Sequence, residues 1–110
     1  MAEGISEVQI EDIEVGSGDE CPPNATVDVH YRGTLMDGTE FDSSYGRGDP
    51  ISFPLQNLIE GWQDGIPGMR VGGKRKLTIP YAKAYGEMGS PPAIPPRSDL
   101  IFEIELLGVS

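Results

Sequence analysis

Familiar side-chain catalysis finds little support in this chain of 110 residues, which has one histidine, His30, and one cysteine, Cys21. Nucleophilic catalysis needs a base beside a serine or cysteine, and His30 lies on the polar face of a predicted strand beside Asp28 and Arg32, where we expect it to be solvated. Such a composition forms no cluster of soft metal ligands, and the sequence has neither a phosphate-binding glycine loop nor a twelve-residue calcium loop. The residues therefore argue against hydrolysis, phosphoryl transfer and metal chemistry, and we expect no cofactor.

The chemistry that remains rests on aromatic residues near glycines and prolines, which come from predicted strands, a predicted helix and a loop. They are Tyr31, Phe41, Phe53, Trp62, Tyr85 and Phe102. Taken singly, each is better explained as part of the core of a small domain, but together they can converge on one concave surface. Tyr85 fits the core explanation least, because Gly86 and the following "GSPPAIPP" place it in a loop, where a phenol has reason to donate a hydrogen bond.

Asp42 also departs from a simple core pattern. It follows Phe41 at the end of a predicted hairpin strand, with Arg47 five residues later and Tyr31 on the partner strand. A carboxylate held by an arginine and a phenol is either a structural ion pair or the polar wall of an apolar pocket. The sequence leaves both interpretations open.

Alternation of apolar and polar residues predicts most of the elements that position these side chains. Asp37-Gly38 predicts a hairpin turn in which both central residues have positive φ. The predicted strands cover 26–35, 39–44, 74–79 and 99–109, with a charged edge-strand candidate over 5–15. Two irregular stretches, 43–50 and 81–96, are where we expect function to lie.

A single helix is predicted from about Leu55 to Asp64, ended by Gly65. Its apolar stripe has the spacing i, i+3, i+4, i+7 and consists of Leu55, Leu58, Ile59 and Trp62. Gly61 weakens such a helix by about 1 kcal/mol, which suggests that bulk is kept low next to neighbouring structure. One helix cannot cover both faces of a parallel sheet, so we expect an α+β fold, a twisted antiparallel sheet of about five strands wrapped around one short α-helix.

Charge and length limit the partners. Eight basic and eighteen acidic residues give a net charge of −10, which argues against nucleic acid and anionic membranes. The acidic N-terminus does not resemble a signal peptide, and no segment approaches the roughly 20 apolar residues that span a bilayer, so we expect a cytoplasmic protein. We also expect one domain over residues 1–110, present as a monomer.

Three segments in chain order resemble the FKBP family of peptidyl-prolyl cis-trans isomerases: "VHYRGTLMDGTEFDSS", "FPLQNLIEGWQDGIPGMRVGGKRKLTIP" and "AYGEMGSPPAIPPRSDLIFEIELL". The resemblance extends from about Val8 to Val109. It implies the fold expected above and an activity, rotation of the Xaa-Pro peptide bond in proline-containing peptides and proteins. It also implies a shallow apolar pocket that in relatives accepts a proline ring or macrolides such as rapamycin.

The resemblance assigns roles to residues of this chain. Trp62 would form the pocket floor, Tyr85 would donate its hydroxyl to a ligand carbonyl, and the backbone N–H of Ile59 would hold a second carbonyl. Asp42 would brace Tyr31 and Arg47, and Asp42, Tyr85 and Trp62 would be the catalytic residues. The remaining predicted substrate-binding residues are Tyr31, Phe41, Phe53, Leu58, Ile59, Ile94 and Phe102.

Departures from the family pattern fall at the rim. Ser90 stands where a histidine is frequent, Pro92 replaces a common glycine, and Ala93 replaces a larger aliphatic residue, which bears on macrolide affinity and substrate preference. Two hypotheses follow from the resemblance. The chain is either an active isomerase that prefers an apolar residue before proline, or a binding or chaperone module with weak isomerase activity.

Overall fold

The computed structural model describes residues 7–46, 48–90 and 93–110, in which antiparallel strands form one sheet. The strands are β1 (Gln9–Glu14), β2 (Thr26–Leu35), β3 (Glu40–Ser43), β4 (Ile51–Pro54), β5 (Lys74–Ile79) and β6 (Leu100–Val109). Their order is β1-β5-β6-β2-β3, and β4 pairs with the first half of β2. One short helix, α1 (Glu60–Gly65), and two 3-10 turns, Leu55–Asn57 and Tyr81–Lys83, complete the described elements.

The predicted fold class is confirmed, with six strands in place of about five. β4 was not predicted as a strand, because four residues that end in Pro54 are too few to show alternation. β1 is an edge strand, as expected. Among the described residues it pairs only with β5, and all six of its residues are exposed. Residues 5 and 6 of the predicted edge strand lie outside the described residues.

The hairpin between β2 and β3 has a turn of a different type from the predicted one. Only Gly38 has a positive φ, of 94°, and Asp37 does not. The Gly38 N–H donates to the Leu35 carbonyl at 2.9 Å, the Leu35 N–H donates to the Thr39 carbonyl at 2.8 Å, and the Asp37 carboxylate accepts from the Thr39 N–H. This is a turn followed by a left-handed glycine, which needs one positive φ instead of two.

The continuous helix predicted from Leu55 to Asp64 is wrong. Leu55–Asn57 forms a 3-10 turn, Leu58 and Ile59 are extended with ψ of 169° and 153°, and α1 begins only at Glu60. The helical spacing predicted that these side chains face inward. Two extended residues between a 3-10 turn and a helix can also direct their side chains inward. Leu55 is buried in the core, whereas Leu58 and Ile59 are half-buried.

Two glycines let α1 lie close against β5. A Cβ on Gly61 would lie 2.4 Å from Ile79 Cγ2, and a Cβ on Gly65 would lie 2.6 Å from Leu77 Cδ1. The structure thus confirms that Gly61 keeps bulk low where the helix approaches neighbouring structure. Gly65 is the last residue of the helix and not a residue beyond its end, and its role is packing, because Ile66 continues in a right-handed conformation.

The core lies between α1 and the concave face of the sheet. Alternate residues of β2 and β6 supply much of it, with Val27, Val29, Leu100 and Leu106 fully buried. In the described ranges, no helix is both long enough and apolar enough to cross a membrane.

Candidate functional site

A cleft of about 210 Å³ opens between α1, the sheet and the loop after β5. Nine of the eleven predicted site residues line it: Tyr31, Phe41, Asp42, Phe53, Leu58, Ile59, Trp62, Tyr85 and Phe102. Residues that are far apart in sequence, from β2 to β6, therefore meet at one concave surface.

Trp62 lies on α1 beneath this cleft, with 4% of its surface exposed. Its indole packs edge-to-face against three rings, with centroid distances of 5.1 Å to Phe102, 5.3 Å to Tyr31 and 6.0 Å to Phe53. Such pairs each contribute about 0.5–1.5 kcal/mol beyond their buried area, and they fix the plane of the indole. Trp62 is thus both a core residue and a lining residue, so the two interpretations of the aromatic residues do not exclude each other.

The indole Nε1 of Trp62 is buried and has no hydrogen-bond partner among the described residues. Leaving a buried donor unpaired is costly, so most proteins avoid it. The three aromatic rings packed around the indole leave this N–H without an acceptor among the described residues.

Gly33 lies against two aromatic rings that line the cleft, and sequence reasoning missed it. A Cβ at this position would lie 2.6 Å from Phe41 Cζ and 2.8 Å from Phe102 Cε1, in the space where these rings meet edge-to-face at 5.5 Å. An isolated glycine inside an alternating strand is the available signal, because it marks the close approach of other groups.

Asp42 lies among the residues that line the cleft. Tyr31 Oη donates to Asp42 Oδ2 at 2.5 Å, and the Ser43 N–H donates to Oδ1 at 2.9 Å. The predicted contact between Asp42 and Arg47 cannot be placed, because Arg47 lies outside the described residues. The position of Asp42 in the lining of the cleft is compatible with the pocket-wall interpretation, and the ion pair with Arg47 stays a prediction.

Tyr85 follows the second 3-10 turn, and its side chain is 41% exposed. Its hydroxyl has no hydrogen-bond partner in the described part of the chain. Burial, and then the negative charge of Asp42, raise the pKa of this phenol, so it remains a proton donor at neutral pH. Lys83, two residues earlier, forms an ion pair of 2.8 Å with Asp64 on α1, which ties the Tyr85 loop to the helix that carries Trp62.

The backbone N–H of Ile59 is the second candidate donor. Ile59 is the N-cap of α1, and its carbonyl accepts from the N–H groups of Trp62 and Gln63. Its own N–H has no acceptor among the described residues, as the first free donors of a helix commonly lack one.

The structure differs from the sequence expectations at Ile94 and His30, and a third expectation, at Pro92, falls on a residue that the structure does not describe. Ile94 is not among the lining residues. Its backbone forms two hydrogen bonds with Ser90, of 2.9 and 3.0 Å, and its side chain is buried in the core with 4% exposed. His30 is half-buried instead of simply solvated, because it stacks on Tyr45 at 4.7 Å and its Nδ1 lies 2.9 Å from Ser44 Oγ. Pro92 of the predicted rim lies outside the described residues.

Known proteins are similar to this chain in sequence and in fold. A family model described as FKBP-type peptidyl-prolyl cis-trans isomerase matches residues 18–107. The FKBP-type peptidyl-prolyl cis-trans isomerase FkpA of Escherichia coli K12 is 50% identical over 97 residues, which cover 88% of this chain and 36% of that protein. The FK506-binding protein of Neisseria meningitidis is 48% identical over 102 residues, which cover 91% of this chain and 94% of that protein.

Solved structures agree. The crystal structure of FkpA from Escherichia coli superposes with a TM-score of 0.88 and 44% identity over 99% of this chain and 53% of that chain. AtFKBP13 superposes with a TM-score of 0.86 and 40% identity over 94% of this chain and 93% of that chain. These proteins therefore share with this chain the architecture of an antiparallel sheet around one short helix. The chain belongs to the family of FKBP-type peptidyl-prolyl cis-trans isomerases, which confirms the resemblance found in its sequence. It spans 36% of the length of FkpA.

Proposed function

We propose that this chain is a peptidyl-prolyl cis-trans isomerase that catalyses rotation of Xaa-Pro bonds in peptides and proteins. The observation that carries the proposal is the apolar cleft with a tryptophan floor in a member of this family. The binding module with weak isomerase activity is the alternative, and the assay described below separates the two.

The reaction needs no nucleophile. The barrier to rotation about a peptide bond is about 18–20 kcal/mol, because rotation removes the partial double bond of the amide. The twisted amide has lost its charge separation, so an apolar cleft that excludes water favours it over the planar ground state. Tighter binding of the twisted form lowers the barrier, and a ten-thousandfold acceleration requires about 5.5 kcal/mol of such differential binding.

The cleft supplies a surface for the ring and donors for the chain. The proline ring lies on the indole of Trp62, between the walls formed by Phe41 and Phe102. The Tyr85 hydroxyl and the Ile59 N–H, both without described partners, donate to carbonyls on either side of the ring. Asp42 holds the Tyr31 ring in place as one side of the cleft.

A macrolide of the rapamycin class is the second proposed ligand of this cleft. The proposal is supported by the name of the Neisseria relative, an FK506-binding protein, and by the two available donors. Such a ligand places carbonyl groups at the positions that a peptide would occupy. Ser90 and Ala93 are the described rim residues expected to set its affinity.

We also propose the oligomeric state, the location and the partners of this chain. The chain acts on proline-containing proteins as a monomer in the cytoplasm and binds neither nucleic acid nor a membrane. A net charge of −10 supports the last two points. The same net charge supports the monomer, because a net charge far from zero makes copies of one chain repel each other. Light scattering on the purified chain tests this state, and a dimer at micromolar concentration would contradict it.

The test of the function is a protease-coupled isomerisation assay on a series of Xaa-Pro tetrapeptides, with the residue before proline varied. We expect acceleration above the uncatalysed rate, greatest with an apolar residue at that position. Tyr85→Phe should weaken binding of rapamycin, followed through the fluorescence of the single tryptophan, while thermal stability is unchanged. Binding without acceleration would favour the binding module, and neither binding nor acceleration would refute both.

A further inference from the structure

The peptide group between Leu58 and Ile59 lies in a gap between two regular elements. Leu58 donates its N–H to the Leu55 carbonyl and so closes the 3-10 turn, and the Ile59 carbonyl begins α1. The peptide group between them consists of the Leu58 carbonyl and the Ile59 N–H, and it belongs to neither element. Both residues line the cleft.

One side chain holds this peptide group. Gln63 Nε2 donates to the Leu58 carbonyl oxygen at 2.8 Å from the exposed side of α1. Within the described ranges, the Leu58 carbonyl accepts no other hydrogen bond, and the Ile59 N–H donates none. The orientation of the group therefore depends on Gln63 more than on the backbone hydrogen bonds of the helix.

A hydrogen bond to a peptide carbonyl also affects the N–H of the same group. The two dipoles are parallel, so a donor on the oxygen polarises the amide and strengthens its N–H as a donor. It also restricts rotation of the group, which lowers the entropy lost when a ligand binds.

We propose that Gln63 is a positioning residue, which orients and polarises the Leu58–Ile59 peptide group so that the Ile59 N–H points at a ligand carbonyl. The inference rests on the proposed function, in which that N–H binds substrate. Gln63 does not line the cleft and acts through the peptide group alone.

Two substitutions separate the donor from the shape of the side chain. Gln63→Glu keeps the size but replaces the donor by a carboxylate, which repels the Leu58 carbonyl. Gln63→Met removes the donor without adding charge. Gln56→Glu is the matched control, because Gln56 is an exposed glutamine on the neighbouring 3-10 turn with no hydrogen bond among the described residues.

The first measurement is kcat/KM on an Ala-Leu-Pro-Phe anilide. We expect a roughly two- to tenfold fall for both Gln63 variants, the range that one hydrogen bond supplies. The Gln56→Glu protein should match the wild type. All variants should melt within a few degrees of the wild type, which distinguishes positioning from loss of stability.

The second measurement does not depend on catalysis. In isotope-labelled protein, the Ile59 amide proton signal should shift when the same peptide is added, and the shift should be smaller in both Gln63 variants but not in Gln56→Glu. Wild-type values of kcat/KM and of this shift in Gln63→Met would overturn the inference while leaving the proposed function intact. A wild-type protein that binds the peptide without accelerating isomerisation would refute the proposed isomerase activity. The change in the Ile59 amide proton signal would then still test the role of Gln63. No response of the wild-type Ile59 signal to saturating peptide would overturn the inference.

Discussion

Gly61→Ala tests how closely α1 must approach the sheet. The new Cβ would lie 2.4, 2.7 and 2.8 Å from three carbons of Ile79, a fully buried residue that is stiff because it is β-branched. Overpacking a core costs about 1–3 kcal/mol, whereas alanine gains about 1 kcal/mol over glycine inside a helix. We therefore expect a net loss of about 1 kcal/mol in the free energy of unfolding, which lowers Tm by roughly 4–8 °C in a domain near this size.

The measurement is urea unfolding followed by the fluorescence of Trp62, the residue next to the substitution, together with isomerase activity. Movement of α1 away from β5 should disturb the indole and lower kcat/KM as well. Gly46→Ala is the control, because its nearest neighbour, the Ser43 carbonyl oxygen, would lie 3.8 Å from the new Cβ. We expect that variant to be as stable as the wild type or slightly more stable.

A double variant separates crowding from other causes. Ile79→Val removes the carbon that would lie at 2.7 Å and gives the remaining side chain room to shift. Gly61→Ala should therefore cost less in the Ile79→Val background than in the wild type. If Gly61→Ala alone raises the free energy of unfolding by about 1 kcal/mol, helix propensity dominates and the close-approach explanation is refuted.

Two more predictions concern the polar residues of β3 and of the loop that follows it. Asp42→Leu removes the acceptor for the Tyr31 hydroxyl and for a backbone N–H, and should lower stability by about 1–3 kcal/mol and reduce isomerase activity; full activity in the peptide assay would contradict its role. Burial and the hydrogen bond to Glu105 raise the pKa of Tyr45 to about 12. The phenol of the unfolded chain ionises near pH 10 while the native phenol keeps its proton, so stability should fall as pH rises from about 10 to 12. Thermal melts from about pH 10 to about pH 12 should show this fall in the wild type and a weaker fall in Tyr45→Phe. If Tm falls equally steeply with pH in both proteins, the pKa of Tyr45 is not raised by folding.

Much of the sheet was open to sequence reasoning, because each long strand carries its own pattern. β2 and β6 alternate over ten residues each, and the burial of Val27 and Val29 follows that alternation. β4 shows no such pattern, and its pairing with β2 comes from long-range contacts that a four-residue segment does not reveal. The hairpin was located by its glycine, but its turn type depends on hydrogen bonds that close only in the folded chain.

The sequence predicted which residues belong to the candidate site but not how these residues are arranged in space. Resemblance to a family named nine of the residues that line the cleft. It placed Ile94 with them, whereas Ile94 is not among the residues that line the cleft; its side chain is buried in the core and its backbone pairs with Ser90. Gly33 and Gln63 were not identified, because one acts through an absent side chain and the other through a hydrogen bond to a peptide group.

The sequence by itself determined the class of this protein: one antiparallel sheet, one short helix and the motifs of a known family. Only the tertiary structure decided that the apolar stripe from Leu55 to Trp62 is divided between a turn, an extended pair and α1. The physical reason is that periodicity records which side chains avoid water, and both helical and extended backbones can satisfy it. The break leaves the Ile59 N–H without a described partner in the lining of the cleft, between the 3-10 turn that Leu58 closes and the helix α1 that packs against β5.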